Sequence, residues 1–143
     1  MILVDANLLL HAYNPRSAHH EAARRWLEAA LSGRERVRFA WMTLWAFLRI
    51  STNPRVFERP LTIAQAEAIV SSWLEQPGAG LLEPSERHWE LFRSLTGPGQ
   101  VSGPLVMDAA LAAIALEHGA TLATTDRAST GCNFSGSRSV TMR

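Results

Sequence analysis

The sequence predicts an α/β fold, a single domain built on a central parallel sheet with helices on both faces. Three observations predict it. Short apolar runs such as Ile2-Leu3-Val4 alternate with longer stretches whose apolar residues recur at helical spacing. The short runs do not alternate with polar residues, which is the pattern of strands buried on both sides. The chain has 143 residues, 47% hydrophobic and 19% charged, which suits one globular core and leaves little room for two.

Taken in order, Ile2-Leu3-Val4 is the first strand and Asp5 ends it. Asn7 to Tyr13 turns helical until Asn14-Pro15. Ser17 is placed to cap a second helix running to Leu31, with Ala23, Trp26, Leu27, Ala30 and Leu31 on one stripe and Gly33 as the stop. Val37 to Ala40 reads as the second strand, and Trp41 to Ser51 as a helix bounded by Asn53-Pro54. Thr62 with Gln65 makes a capping box for a helix to about Gln76, ahead of Pro77-Gly78. Ala79 to Glu83 is a third strand, and Ser85 is placed to cap a helix to about Leu95. An alanine-rich helix over Leu105 to His118 is closed by Gly119 at C′. Thr121 to Thr124 is the fourth strand, and an edge strand is expected near Ser139-Val140-Thr141.

Composition removes several functions. All 14 basic residues are arginine, so a Walker lysine, a Schiff-base lysine and a Ser-x-x-Lys pair are excluded. The lone Cys132 allows no internal disulfide and reads as a cytoplasmic setting. Met1 leads into Ile-Leu-Val with no basic n-region, which argues against a secretory signal. The longest mostly apolar stretch, Phe39 to Leu48, is too short for a membrane span. His19-His20-Glu21 lacks the second histidine of a zinc helix and reads as a solvated first turn.

The acids carry more. Ten of the 13 are glutamate, leaving three aspartates, Asp5, Asp108 and Asp126. Asp5 and Asp126 directly follow predicted strands, and Asp108 lies near a helix start. In a parallel sheet these positions open into the crevice beyond the carboxyl ends of the strands. Singly, each aspartate has a plain structural explanation as a cap or turn residue. Together they reserve every aspartate for one end of the sheet. Carboxylates so gathered repel one another unless a hard divalent cation, Mg²⁺ or Mn²⁺, neutralises them. Such a centre suits hydrolysis of a phosphodiester by a metal-bound water.

The chain also resembles a known family, the PIN-domain ribonucleases, and among them the VapC toxins of bacterial toxin–antitoxin pairs. The matching segments are Met1 to Leu10, Phe47 to Phe57, Asp108 to Ala113 running on to Glu117-His118-Gly119-Ala120, and Leu122 to Arg127. They cover residues 1 to 127, in order. The resemblance implies a single PIN-like domain over residues 1–143, with 129–143 a divergent tail. It implies a Mg²⁺ or Mn²⁺ site and endonucleolytic cleavage of RNA. Asp5, Asp108 and Asp126 match the family's metal-binding catalytic acids, and Asn7 a polar position that supports the first. It also implies a cognate antitoxin partner and a homodimer.

The chain departs from the family at Ala46, where a glutamate is common, at Ala128-Ser129, where a fourth acid often follows, and at Pro104, often asparagine. A second reading is therefore an impaired PIN-like scaffold that binds antitoxin or nucleic acid without cleaving it; a third is a DNA nuclease of similar chemistry. Trp41 and Trp45, one helical turn apart, read as core or as a face for a subunit or antitoxin. Arg34, Arg36 and Arg38 read as a solvated turn. Arg49, Arg55, Arg59 and Arg127 are candidates for phosphate contacts.

Overall fold

Ile2–Val4 (β1) lies in the middle of the sheet, as an apolar run buried on both faces should. A computed structural model describes residues 1–97, 101–125 and 139–141. The chain continues through α1 (Ala6–Ala12), α2 (His20–Ser32), β2 (Val37–Phe39), α3 (Trp41–Ser51), α4 (Ile63–Leu74), β3 (Ala79–Leu81), α5 (His88–Thr96), α6 (Leu105–His118), β4 (Thr121–Thr124) and β5 (Ser139–Thr141). The strand order is β3-β2-β1-β4-β5, and all four pairings are parallel. The expected edge strand is thus β5, beside β4.

The pleat divides the interior in two. Val4, Val37, Phe39 and Ala123 face one side, against Leu8 and Leu9 of α1, Leu27 of α2, Leu44 and Phe47 of α3, and Val70 and Trp73 of α4. Leu3 and Leu122 face the other, with Leu111, Ile114 and Ala115 of α6. α5 lies on α6 and buries none of its own residues. Among the described residues, no helix is long and apolar enough to cross a membrane.

The local signals are met at several ends. Thr62 Oγ1 accepts from Gln65 N at 3.1 Å and Gln65 Oε1 from Thr62 N at 3.0 Å, the expected capping box. Gly119 closes α6 at φ 64°, a left-handed position glycine holds without a Cβ clash.

Two expected caps are displaced. α2 starts at His20, not behind Ser17, because Ser17 Oγ accepts from His19 N and bonds His11 Nδ1 at 2.6 Å. His20 is half-buried and its Nδ1 bonds the His11 carbonyl, so this turn is not simply solvated. α5 starts at His88, not behind Ser85, whose hydroxyl donates to Glu117 Oε1 at 2.8 Å. Arg38 belongs to β2, and its guanidinium donates to the Val37 and Gly78 carbonyls.

Candidate functional site

β1 leads onward to β2 on one side and pairs with β4 on the other, so the sheet reverses its order between β1 and β4. Crevices for ligands open at such a switch point, beyond the strand ends. Asp5 is the first residue past β1. Its backbone N–H donates to the Ala123 carbonyl at 2.9 Å, which extends the β1–β4 ladder to the aspartate itself.

Asp5 stands at the N-cap position of α1 but makes no capping bond to that helix. Its Oδ2 instead accepts from Thr124 Oγ1 at 2.7 Å. Asp5 is 8% exposed and Thr124 is fully buried. The plain explanation of Asp5 as a helix cap is therefore excluded. A carboxylate is held in a low-exposure position at the switch point, its orientation fixed by a hydroxyl from the neighbouring strand. Thr124 was absent from the sequence-derived site. The one signal for it was that β4, if paired in register with β1, sets its last residue opposite Asp5.

Asp108 lies in the first turn of α6 and is half-buried. Thr121 N donates to the Met1 carbonyl, so β4 starts at the amino edge of the sheet, and α6 ends just before it. Asp108 precedes Gly119 by about 16 Å of helix at 1.5 Å per residue. β4 rises about 13 Å over its four residues. Asp108 thus lies at the end of α6 remote from the start of β4. Asn7 is half-buried in the first turn of α1, two residues beyond Asp5. Asp126 and Arg127 lie outside the described residues.

Ala46 sits half-buried in α3, a helix with no acidic residue. Among the described residues no three His, Cys, Asp or Glu side chains form a metal-binding group. The donors at the crevice are nonetheless hard oxygens on a buried carboxylate, the type that Mg²⁺ and Mn²⁺ select over softer ions. The Asp5 carboxylate is thus a donor of the type such a cation takes.

Comparison with known proteins gives the family and the fold. Residues 2–129 match the family model described as PIN domain. Ribonuclease VapC37 of Mycobacterium tuberculosis is 46% identical over 127 residues, 88% of each chain. Ribonuclease VapC31 of the same species is 36% identical over 89% of each. Among solved structures, VapBC2 from Rickettsia felis, bound to a DNA fragment from its promoter, superposes with TM-score 0.69 at 16% identity, covering all of both chains. Mycobacterium tuberculosis VapC20, described as a sarcin–ricin-loop-cleaving toxin, gives 0.66 at 17% identity, covering 96% of this chain and 99% of its own. These two share the fold. The chain belongs to the PIN-domain family, in its VapC ribonuclease branch.

Proposed function

We propose that this protein is a metal-dependent endoribonuclease acting as the toxin of a toxin–antitoxin pair in the cytoplasm. The observation that carries the reading is the buried Asp5 carboxylate at the β1–β4 switch point, gripped by Thr124. Its support from relatives is that those of highest identity reported above are named ribonucleases. In this reading Asp5, Asp108 and Asp126 hold Mg²⁺ or Mn²⁺, with Asn7 supporting Asp5. When bound, the ion supplies charge neutralisation and an acidified water for attack on the phosphate. The protein's own share is to orient the Asp5 carboxylate: Thr124 donates to its Oδ2. The substrate is RNA, unpaired at the scissile bond so that the phosphate can enter the crevice. The partners are a cognate antitoxin and a second copy of the chain; solved relatives include the toxin–antitoxin complex from Klebsiella pneumoniae.

The test is Asp5→Asn. The expected outcome is loss of both RNA cleavage and growth arrest in a folded protein, and retained toxicity would refute the reading. Thr124→Val keeps the shape and removes the hydroxyl. It is expected to cost about 10- to 100-fold in metal affinity or activity, as for other groups that orient a ligand. Calorimetric Mn²⁺ titration of the variant beside the parent checks it.

A further inference from the structure

Ala40 is the N-cap of α3 and brings no side-chain bond to cap it. The Thr43 and Leu44 N–H groups both return to the Ala40 carbonyl. Trp41 and Met42, the first two helical residues, have N–H groups with no acceptor among the described residues. Beside them stands Thr43, only 3% exposed. Its hydroxyl makes no hydrogen bond among the described residues, although a buried hydroxyl without a partner costs stability. Among the described residues Ser51 Oγ alone is both partnerless and fully shut off from water, so the Thr43 hydroxyl still meets an opening.

That opening is at the crevice. β1 pairs with β2 through Leu3 and Arg38, and Asp5 and Ala40 each stand two residues further on. α1 and α3 thus leave neighbouring parallel strands, and they pack on each other. Toward their far ends the Tyr13 and Phe47 rings meet at 5.8 Å, and Leu10, Tyr13, Phe47 and Ser51 line one cavity. One turn back along each helix, from Leu10 to Asn7 and from Phe47 to Thr43, the residues are polar. A helical side chain leans toward the amino end, so Thr43 lies over the first turn of α3. Three donors therefore stand together at the strand end that carries Asp5.

The chemistry selects the occupant. Backbone N–H groups only donate, and the amino end of a helix carries partial positive charge, so the group that fits is an anionic oxygen. A cation is refused on the same ground, which separates this spot from the carboxylate beside it. A phosphate offers several such oxygens and can take all three donors at once.

We propose that the Thr43 hydroxyl and the Trp41 and Met42 N–H groups hold a phosphate of the RNA strand as it enters the Asp5 crevice. The proposal rests on the ribonuclease reading, which supplies the phosphate, but it is tested by binding and folding, so the two can fail separately. Thr43 leaves the free protein with an unsatisfied hydroxyl, and the substrate satisfies it.

The experiment measures fluorescence anisotropy of labelled, unstructured oligoribonucleotides with metal-free protein in EDTA, and urea unfolding of each variant read by circular dichroism. Thr43→Val keeps the branched shape and removes the hydroxyl. It should weaken binding about 10- to 150-fold, the worth of one hydrogen bond to a charged group, while Thr43→Ser keeps most of the affinity. Oligouridine and oligoadenosine should lose affinity alike, because a phosphate contact carries no base information. The urea midpoint of Thr43→Val should equal or exceed that of the parent, since an unsatisfied polar group has gone. Unchanged affinity in Thr43→Val, or no binding by the parent, overturns the proposal. A loss confined to one base, or a loss in Thr43→Ser as large as in Thr43→Val, also overturns it. So does a lowered urea midpoint, which would give the hydroxyl a partner inside the fold. Asp5→Asn, assayed separately for cleavage, decides the catalytic reading whichever way binding falls.

Discussion

The two faces of the sheet are built on different principles. On the α1–α4 face, large aromatics interlock. Trp73 is 2% exposed, stacks on Phe39 at 5.7 Å, and meets Phe47 edge-on at 4.8 Å. Its indole N–H donates to the Tyr13 hydroxyl at 3.3 Å. On the α6 face the packing is aliphatic, Leu111, Ile114 and Ala115 against Leu3 and Leu122, and α6 also buries Ala109, Ala112 and Ala113. Beyond that layer α5 is held by a polar clamp. Glu117, with a side chain 1% exposed, accepts from the Ser85 N–H and hydroxyl and pairs with His88 at 3.2 Å, while His118 bonds the Glu83 carbonyl.

The contrast teaches how stability and site placement are divided. The aromatic face packs the helices that follow β1 and β2. The aliphatic face packs α6, which carries Asp108 in its first turn, against the sheet.

Removing the centre of the aromatic face should have the largest effect. Trp73→Ala is expected to cost about 3–5 kcal/mol by lost transfer energy and the cavity left behind. Urea unfolding read by circular dichroism checks it; a cost below that of the clamp would reverse the comparison.

Breaking the clamp should be milder and local. Glu117→Ala strands the Ser85 and His88 donors, at about 1–2 kcal/mol because Ser85 is exposed and water can take the place of the carboxylate there. Hydrogen exchange should rise in α5 while α1, α3 and α4 stay protected. Uniform acceleration would mean that the two faces unfold as one unit.

The smallest effect lies at the α1–α2 junction. Burial, and then the neighbouring His19 ring at 5.2 Å, hold His11 below its ordinary pKa of 6.5. The unfolded chain therefore binds the proton more readily. Stability is retained above pH 6.5 and lost as pH falls through the lowered folded value. The urea midpoint should drop between pH 7.5 and 5.5, and His11→Gln should narrow that drop. An equal drop in the variant would assign it to other groups.

Much of this architecture is readable along the chain. α3 and α6 run over the residues their periodicity and flanking breakers set, and Gly119 and the Thr62–Gln65 box close their helices as local rules require. Ser17 and Ser85 show where that reading ends. Each is a good cap by type, yet each hydroxyl has a bond to a group outside its own turn, His11 in one case and Glu117 in the other.

The sequence by itself determined the strand and helix order, the family motifs, and the concentration of aspartate at a few sites. Those follow from capping, periodicity and composition, which act over a turn or a strand. Only the tertiary structure decided that Asp5 answers to Thr124, 119 residues away, and that Trp73 is buried while Trp45 faces solvent. Both depend on which strands lie side by side and which face of a helix meets the sheet. That choice is made by the free energy of the whole folded core, and no short window of sequence contains it.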